Sequence, residues 1–190
     1  MLPPQIIFGY HGCDESLAKI IFDGGHLRPS TNPWDWLGHG TYFWESSPTR
    51  ALRWAHEMSR LPNPTVNKPA VVGAIINLGT CLDLADPASA DLVSGAFHNY
   101  IENCRISGVE QARNKGPESK ARYLDCAVMN HLHYLYEAAG EQPFDTVRGF
   151  FNEGQPVYPT AGLRSLDHVQ VCVRNPKCIM GFFKPSAIHG

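Results

Sequence analysis

The sequence predicts an α+β domain, and three observations carry that expectation. Short segments rich in β-branched and aromatic residues lie toward both ends of the chain, helical periodicity fills its middle, and cap residues, glycines and prolines punctuate the boundaries. With 190 residues, 43% of them hydrophobic and 18% charged, the chain divides most simply as one domain over 1–190. A chain of this length buries roughly 70% of its unfolded surface and needs no metal or disulfide to hold a core.

Residues 5–12, QIIFGYHG, read as the first strand. DESLAKIIFDGG then places Leu17, Ile20 and Ile21 on one face of a helix that stops at Gly24. GTYFWE (40–45) reads as a short strand. In SSPTRALRWAHEMSR, Ser47 stands as the N-cap and Pro48 as the first helical residue, with the helix running to about Ser59. PAVVGAIINL (69–78) is a nearly all-apolar run of the kind a central strand carries. Asp86 and Pro87 repeat the cap-then-proline start. A polar, Gly- and Pro-containing excursion occupies 105–119 and its surroundings to 122, after which Leu124, Ala127, Val128, Leu132 and Leu135 recur at helical spacing up to Gly140. DTVRGFF, DHVQVCVR and CIMGFF read as the last strands, joined by the loop NEGQPVYPTAGLRSL and the turn NPK.

A net charge of −2 gives no overall field that draws in nucleic acid, although Arg105, Arg113, Lys115, Lys120 and Arg122 form a local basic strip. The six cysteines lack CxxC spacing or nearby histidine partners and read as buried free thiols. MLPPQIIFGYHG has neither a charged start nor a long apolar run, and no segment approaches the ~20 apolar residues of a membrane span, so a reduced cytoplasmic location is the expectation. His131 and His133, two apart on a helix, point away from each other. With no HExxH or Cys/His quartet, no metal site is expected. P-loop, Rossmann and nucleophile-elbow patterns are also missing.

Three motifs stand out: YHG (10–12) ending the first strand, LGHGTYFWE (37–45) entering a helix, and DHVQVCV (167–173) near the C-terminus. Each alone has an ordinary structural reading. A histidine after a strand is often a satisfied polar group, and a tryptophan on an amphipathic helix is often core. Strand alternation puts Tyr42 and Phe43 on opposite faces, so one is core and the other faces away. The same rule separates Val169, Val171 and Val173 from His168, Gln170 and Cys172.

Together and in this order the motifs resemble the histidine–tyrosine–glutamate (or glutamine) group of ADP-ribosyltransferases, the superfamily that includes diphtheria toxin and the poly(ADP-ribose) polymerases. The resemblance implies split antiparallel β-sheets flanked by helices, with NAD as co-substrate in the cleft between them. It implies that His11 bonds the adenine-side ribose, that Gly12 offers its backbone to the nicotinamide carboxamide, and that Gly40 lets the chain pass close to the ligand. Tyr42 would stack on the nicotinamide, Trp54 would supply a second aromatic wall, and Trp34 and Trp36 would form a lid. Gln170 stands where many members carry glutamate; an amide can bond a ribose hydroxyl but cannot serve as a general base at neutral pH. Glu153, in the loop before that strand, is the candidate carboxylate for catalysis or acceptor orientation, against a plain solvated charge. Arg148 is a candidate partner for an NAD phosphate or for Glu153.

The expected activity is mono-ADP-ribosyl transfer from NAD to a protein, RNA or DNA acceptor with release of nicotinamide. By analogy of fold, the setting is that of a bacterial toxin or phage-defence effector with a possible antitoxin partner. A module that binds NAD or ADP-ribose without turnover, and an NAD glycohydrolase, are the alternatives.

Overall fold

The structure, a computed structural model, describes residues 5–116, 121–186 and 188. It is α+β: seven strands form one mixed, open sheet, and four helices cover it. The strands are β1 (Ile6–Asp14), β2 (Thr41–Glu45), β3 (Pro69–Asn77), β4 (Cys81–Asp83), β5 (Thr146–Phe151), β6 (His168–Val173) and β7 (Ile179–Phe183). The helices are α1 (Glu15–Phe22), α2 (Pro48–Ser59), α3 (Pro87–Ser107) and α4 (Tyr123–Ala138).

Local chemistry explains the boundaries. The carboxylate of Asp14 ends β1 and caps α1, accepting from the Ser16 N–H at 2.9 Å and from Asn67 and Lys68 at 2.7 and 2.9 Å. Those donors hold its carboxyl far below the usual range, the Lys68 bond foremost. Asp86 caps α3 in the same way, and α3 ends on Gly108 in the left-handed conformation. Pro48 opens α2 as expected, although the Ser47 side chain makes no capping bond. In α1 the buried residues are Ala18 and Ile21, while Ile20 is 58% exposed, so the core face is rotated from the one the spacing suggested.

The strand order is β4-β5-β6-β2-β1-β3-β7, with β4 parallel to β5 and the other pairings antiparallel. The sheet is therefore mixed and continuous in order, where an antiparallel split was expected. Its centre is nonetheless short in register: β1 and β2 pair at Gly9–Glu45 and Tyr10–Trp44, extended by a main-chain bond from Ser46 to Phe8 and by the bond between the His11 ring and the Tyr42 carbonyl. The apolar β3 lies next to the edge strand β7, not at the centre. Its apolar character follows from two-sided burial: Val72, Ala74 and Ile76 join the core beneath α1, and Val71 packs with Ala51 of α2 and Trp44.

Two larger cores lie on opposite faces of the sheet. Phe43, Val171 and Val173 pack with Ala18 and Ile21 of α1. Cys172 and Val147 pack with Val128, Met129 and Leu132 of α4, and Tyr42 joins that second cluster. The alternation expected for β2 and β6 is thus realised, with Phe43 fully buried. All six cysteines are free thiols, four of them buried, and burial pushes Cys172 up to about 12. No helix among the described residues is long and apolar enough to cross a membrane.

Candidate functional site

A cavity of about 410 Å³ opens on the face of the sheet that carries Tyr42, Trp44 and Gln170, within the range of small-molecule sites. Its lining draws His11 and Gly12 from β1, Tyr42 and Trp44 from β2, Arg50 and Trp54 from α2, Gln170 from β6 and Glu153 from the β5–β6 loop. Gly40, Trp34 and Trp36 complete one wall. Nine of the ten candidate residues from the sequence therefore meet in one place, Arg148 being the exception.

His11 sits where β1 and β2 stop pairing. Its Nδ1 lies 2.9 Å from the Tyr42 carbonyl oxygen, which can only accept, so Nδ1 carries the proton and Nε2 keeps its lone pair. Burial lowers its pKa, outweighing the opposing effect of that hydrogen bond, and holds the ring neutral. His11 can thus accept a hydrogen bond from a hydroxyl. Its ring meets Phe43 edge-on with centroids 5.9 Å apart.

Tyr42 is fixed at both ends. Its backbone carbonyl holds His11, and its hydroxyl donates to the Gly38 carbonyl at 2.7 Å and accepts from the Leu37 N–H at 2.9 Å. Burial raises the hydroxyl pKa strongly, so the phenol stays protonated. With its oxygen occupied by loop backbone, Tyr42 offers a ring face rather than an acid or base. Trp54 lines the same space and tilts against Trp44 at 5.8 Å, so it belongs to the α2 core and to the cavity at once.

The glycines have a different explanation from the one expected. A Cβ on Gly12 would stand 2.2 Å from the Ala51 carbonyl oxygen, and one on Gly40 would stand 2.5 Å from the Cys172 sulfur. Both are required by close packing of protein on protein, though both also line the cavity.

Glu153 is held inside the site. Its Oε2 accepts from Arg50 Nη2 at 3.1 Å, and its own N–H donates to Asp167 at 3.1 Å. Main-chain bonds from Leu166 to Glu153 and from Ser165 to Gln155 shape the loop around it. Arg148 lies elsewhere. It is bound by Glu45 at 2.6 and 3.2 Å and by Asp83 at 3.0 Å, which raises its pKa and leaves Arg50 as the partner of Glu153. Strand parity is the cause, since Arg148 stands opposite Val171 on the far face whereas Gln170 stands opposite Gly149.

Family models, curated proteins and solved structures return no match to this chain. What the site can do therefore rests on its own chemistry.

Three residues the motifs did not single out stand in or beside it. The side chain of Arg50 is only 12% exposed, and its guanidinium lies 5.5 Å above the Trp44 ring. Among the described residues, Arg50 Nε and Nη1 and Trp44 Nε1 are buried donors without a hydrogen-bond partner, Nη1 standing 3.8 Å from Glu57 Oε2, which suits them to oxygens of an anionic ligand. The third is His168, whose Nε2 lies 3.1 Å from the Gln170 amide nitrogen. Spacing held a signal for each: Arg50 precedes Trp54 by one helical turn, and Trp44 and His168 stand two residues from Tyr42 and Gln170 on the same strand faces.

A second cavity of about 860 Å³ adjoins the first, sharing Trp36 and Glu153. Phe150, Phe151, Asn152, Gln155, Arg122 and Arg164 also line it, with Arg122 stacked 4.7 Å above Trp36. Glu153 thus stands at the boundary between the two spaces. Lys120 of the basic strip lies outside the described residues. Among the described residues, no group of three or more His, Cys, Asp or Glu is arranged to hold a metal ion.

Proposed function

We propose that this chain is an ADP-ribosyltransferase of the histidine–tyrosine–glutamine kind, transferring a single ADP-ribose from NAD to a macromolecular acceptor. The observation that carries the reading is the convergence of His11, Gly12, Gly40, Tyr42, Trp54, Glu153 and Gln170, drawn from separate elements, on one cavity of about 410 Å³. The chemistry of the lining suits the donor. Tyr42 and Trp54 supply aromatic surface for the nicotinamide, and His11 Nε2 and the Gln170 amide supply acceptors for ribose hydroxyls. The N–H groups of Arg50 and Trp44 that lack a hydrogen-bond partner among the described residues supply donors for pyrophosphate oxygens. NAD brings its own leaving group. The protein's part is to hold the ribose while positive charge develops on it, and a carboxylate at Glu153 stabilises that charge. The acceptor approaches from the larger cavity, past Glu153.

One feature of the site favours a second reading, a module that binds NAD without turnover. The third motif position is an amide, and Glu153 is already ion-paired with Arg50. Incubation with labelled NAD and cell lysate separates the readings. Label on macromolecules is the expected result; free ADP-ribose indicates hydrolysis, and bound but unchanged NAD indicates the inactive module.

A further inference from the structure

On β6, His168 and Gln170 stand two residues apart and present their side chains to the same face. The hydrogen bonds around them allow a single arrangement. His168 Nδ1 lies 2.6 Å from the Leu166 carbonyl oxygen, an atom that can only accept, so the ring proton is on Nδ1. The neutral ring then has a bare lone pair at Nε2, and that atom faces the Gln170 side-chain amide at 3.1 Å. Only the NH₂ end of an amide can satisfy a lone pair. The Gln170 carbonyl oxygen must therefore turn away from His168, and it has no protein partner among the described residues.

The surroundings keep His168 neutral. Its ring stacks on Phe151 with centroids 5.5 Å apart, and the Trp44 ring stands at 6.4 Å. The charged groups that face it are Glu153, whose Oε2 is 3.9 Å from Nδ1, Asp167 next to it in the loop, and Arg50 from α2. The carboxylates favour the protonated ring and Arg50 opposes it. Burial is the largest influence, and the net effect is a lowered pKa.

We propose that His168 is a positioning residue that locks the Gln170 amide with its oxygen free, so that the third motif position accepts a hydrogen bond from a ribose hydroxyl of the dinucleotide. The assignment of the ligand rests on the donor-binding reading above; the lock itself does not. A glutamate here would offer an acceptor in any orientation, whereas a glutamine offers one only when its NH₂ end is occupied, and His168 supplies that occupancy. Protonation of His168 places a hydrogen on Nε2, turns the amide round and presents NH₂ where the ribose hydroxyl needs an acceptor.

The test uses the full chain as wild type, His168→Gln and His168→Phe, each checked by thermal melting. Nitrogen-15 spectra of the histidine rings should show Nδ1 protonated and Nε2 bare for His168 at pH 7.5. NAD titration should give wild-type affinity within about threefold for His168→Gln, whose side-chain oxygen can accept the same amide N–H. It should give a loss of about five- to tenfold for His168→Phe, the size of one hydrogen bond. Between pH 7.5 and 5, wild-type affinity should fall further than that of His168→Gln, because glutamine does not titrate. A protonated Nε2 at pH 7.5, or wild-type affinity in His168→Phe, overturns the lock. Wild-type protein with a bare Nε2 that does not bind NAD retains the lock and overturns both the donor reading and the ligand assigned to Gln170.

Discussion

At the scale of single residues the site depends on groups with two tasks. Tyr42 presents a ring to the cavity while its hydroxyl joins Leu37 and Gly38 of the preceding loop. Tyr42→Phe keeps the ring and leaves those two backbone groups without a partner. It should lower unfolding stability by about 1–2 kcal/mol, read by denaturant titration, and change NAD affinity little. Tyr42→Ala should weaken NAD binding by about 1–3 kcal/mol as well, and calorimetry showing unchanged affinity removes Tyr42 from the proposed donor site. Gly12 carries a packing requirement together with its place in the cavity. Gly12→Ala drives a methyl to 2.2 Å from the Ala51 carbonyl unless α2 moves, so a stability loss of about 1–3 kcal/mol is expected with no ligand present. An unchanged melting temperature for ligand-free Gly12→Ala contradicts that account.

At the scale of elements, the β5–β6 loop is the part that reaches over the sheet toward α2. Its carboxylate is clamped by Arg50 from α2, a pairing between residues 103 apart in sequence. Glu153→Gln keeps the shape of the side chain and removes its charge. Turnover of NAD with acceptor should fall at least tenfold while the NAD dissociation constant stays within a few-fold; full activity in a single-turnover assay excludes Glu153 from the reaction. Arg148 shows how strand neighbours decide a role. In sequence it precedes Glu153 by five residues, yet its tie runs to β2 and β4 across the other face of the sheet. The three-residue β4 was not legible in sequence for a related reason, because a strand so short carries no period and its parallel pairing with β5 is purely tertiary.

At the scale of the whole molecule, buried histidines link folding to pH. His133 is 1% exposed in the core beneath α4, donates from Nδ1 to the Met129 carbonyl at 2.7 Å, and has its pKa lowered from 6.5 to about 4, mainly by burial. The unfolded chain takes up this proton near pH 6.5 and the folded chain resists it. Stability from this group is therefore complete above about 6.5 and drains away as the pH falls toward 4. The loss amounts to about 3 kcal/mol, and His11 and His168, also lowered by burial, act in the same direction. Urea titrations at pH 7.5 and 4.5 should show this decline, and His133→Gln should flatten it; an unchanged slope in that variant excludes His133 as a source.

What neighbours along the chain control was legible before any fold was known. The proline starts of α2 and α3, the stop of α1, and the division of β2 and β6 into core and cavity faces all follow from caps and from a side-chain period of two. The sequence also named most of the residues lining the cavity, because YHG, GTYF and HVQV each place a distinctive side chain at a fixed point of a strand. Which groups meet across the sheet came from long-range packing: Arg50 and not Arg148 with Glu153, α2 and Cys172 as the surfaces that require glycine at 12 and 40, and a mixed sheet with β3 near its edge. The reason is physical. Strand order and helix docking are set by long-range burial, and a local pattern specifies the face a residue occupies without specifying what stands opposite.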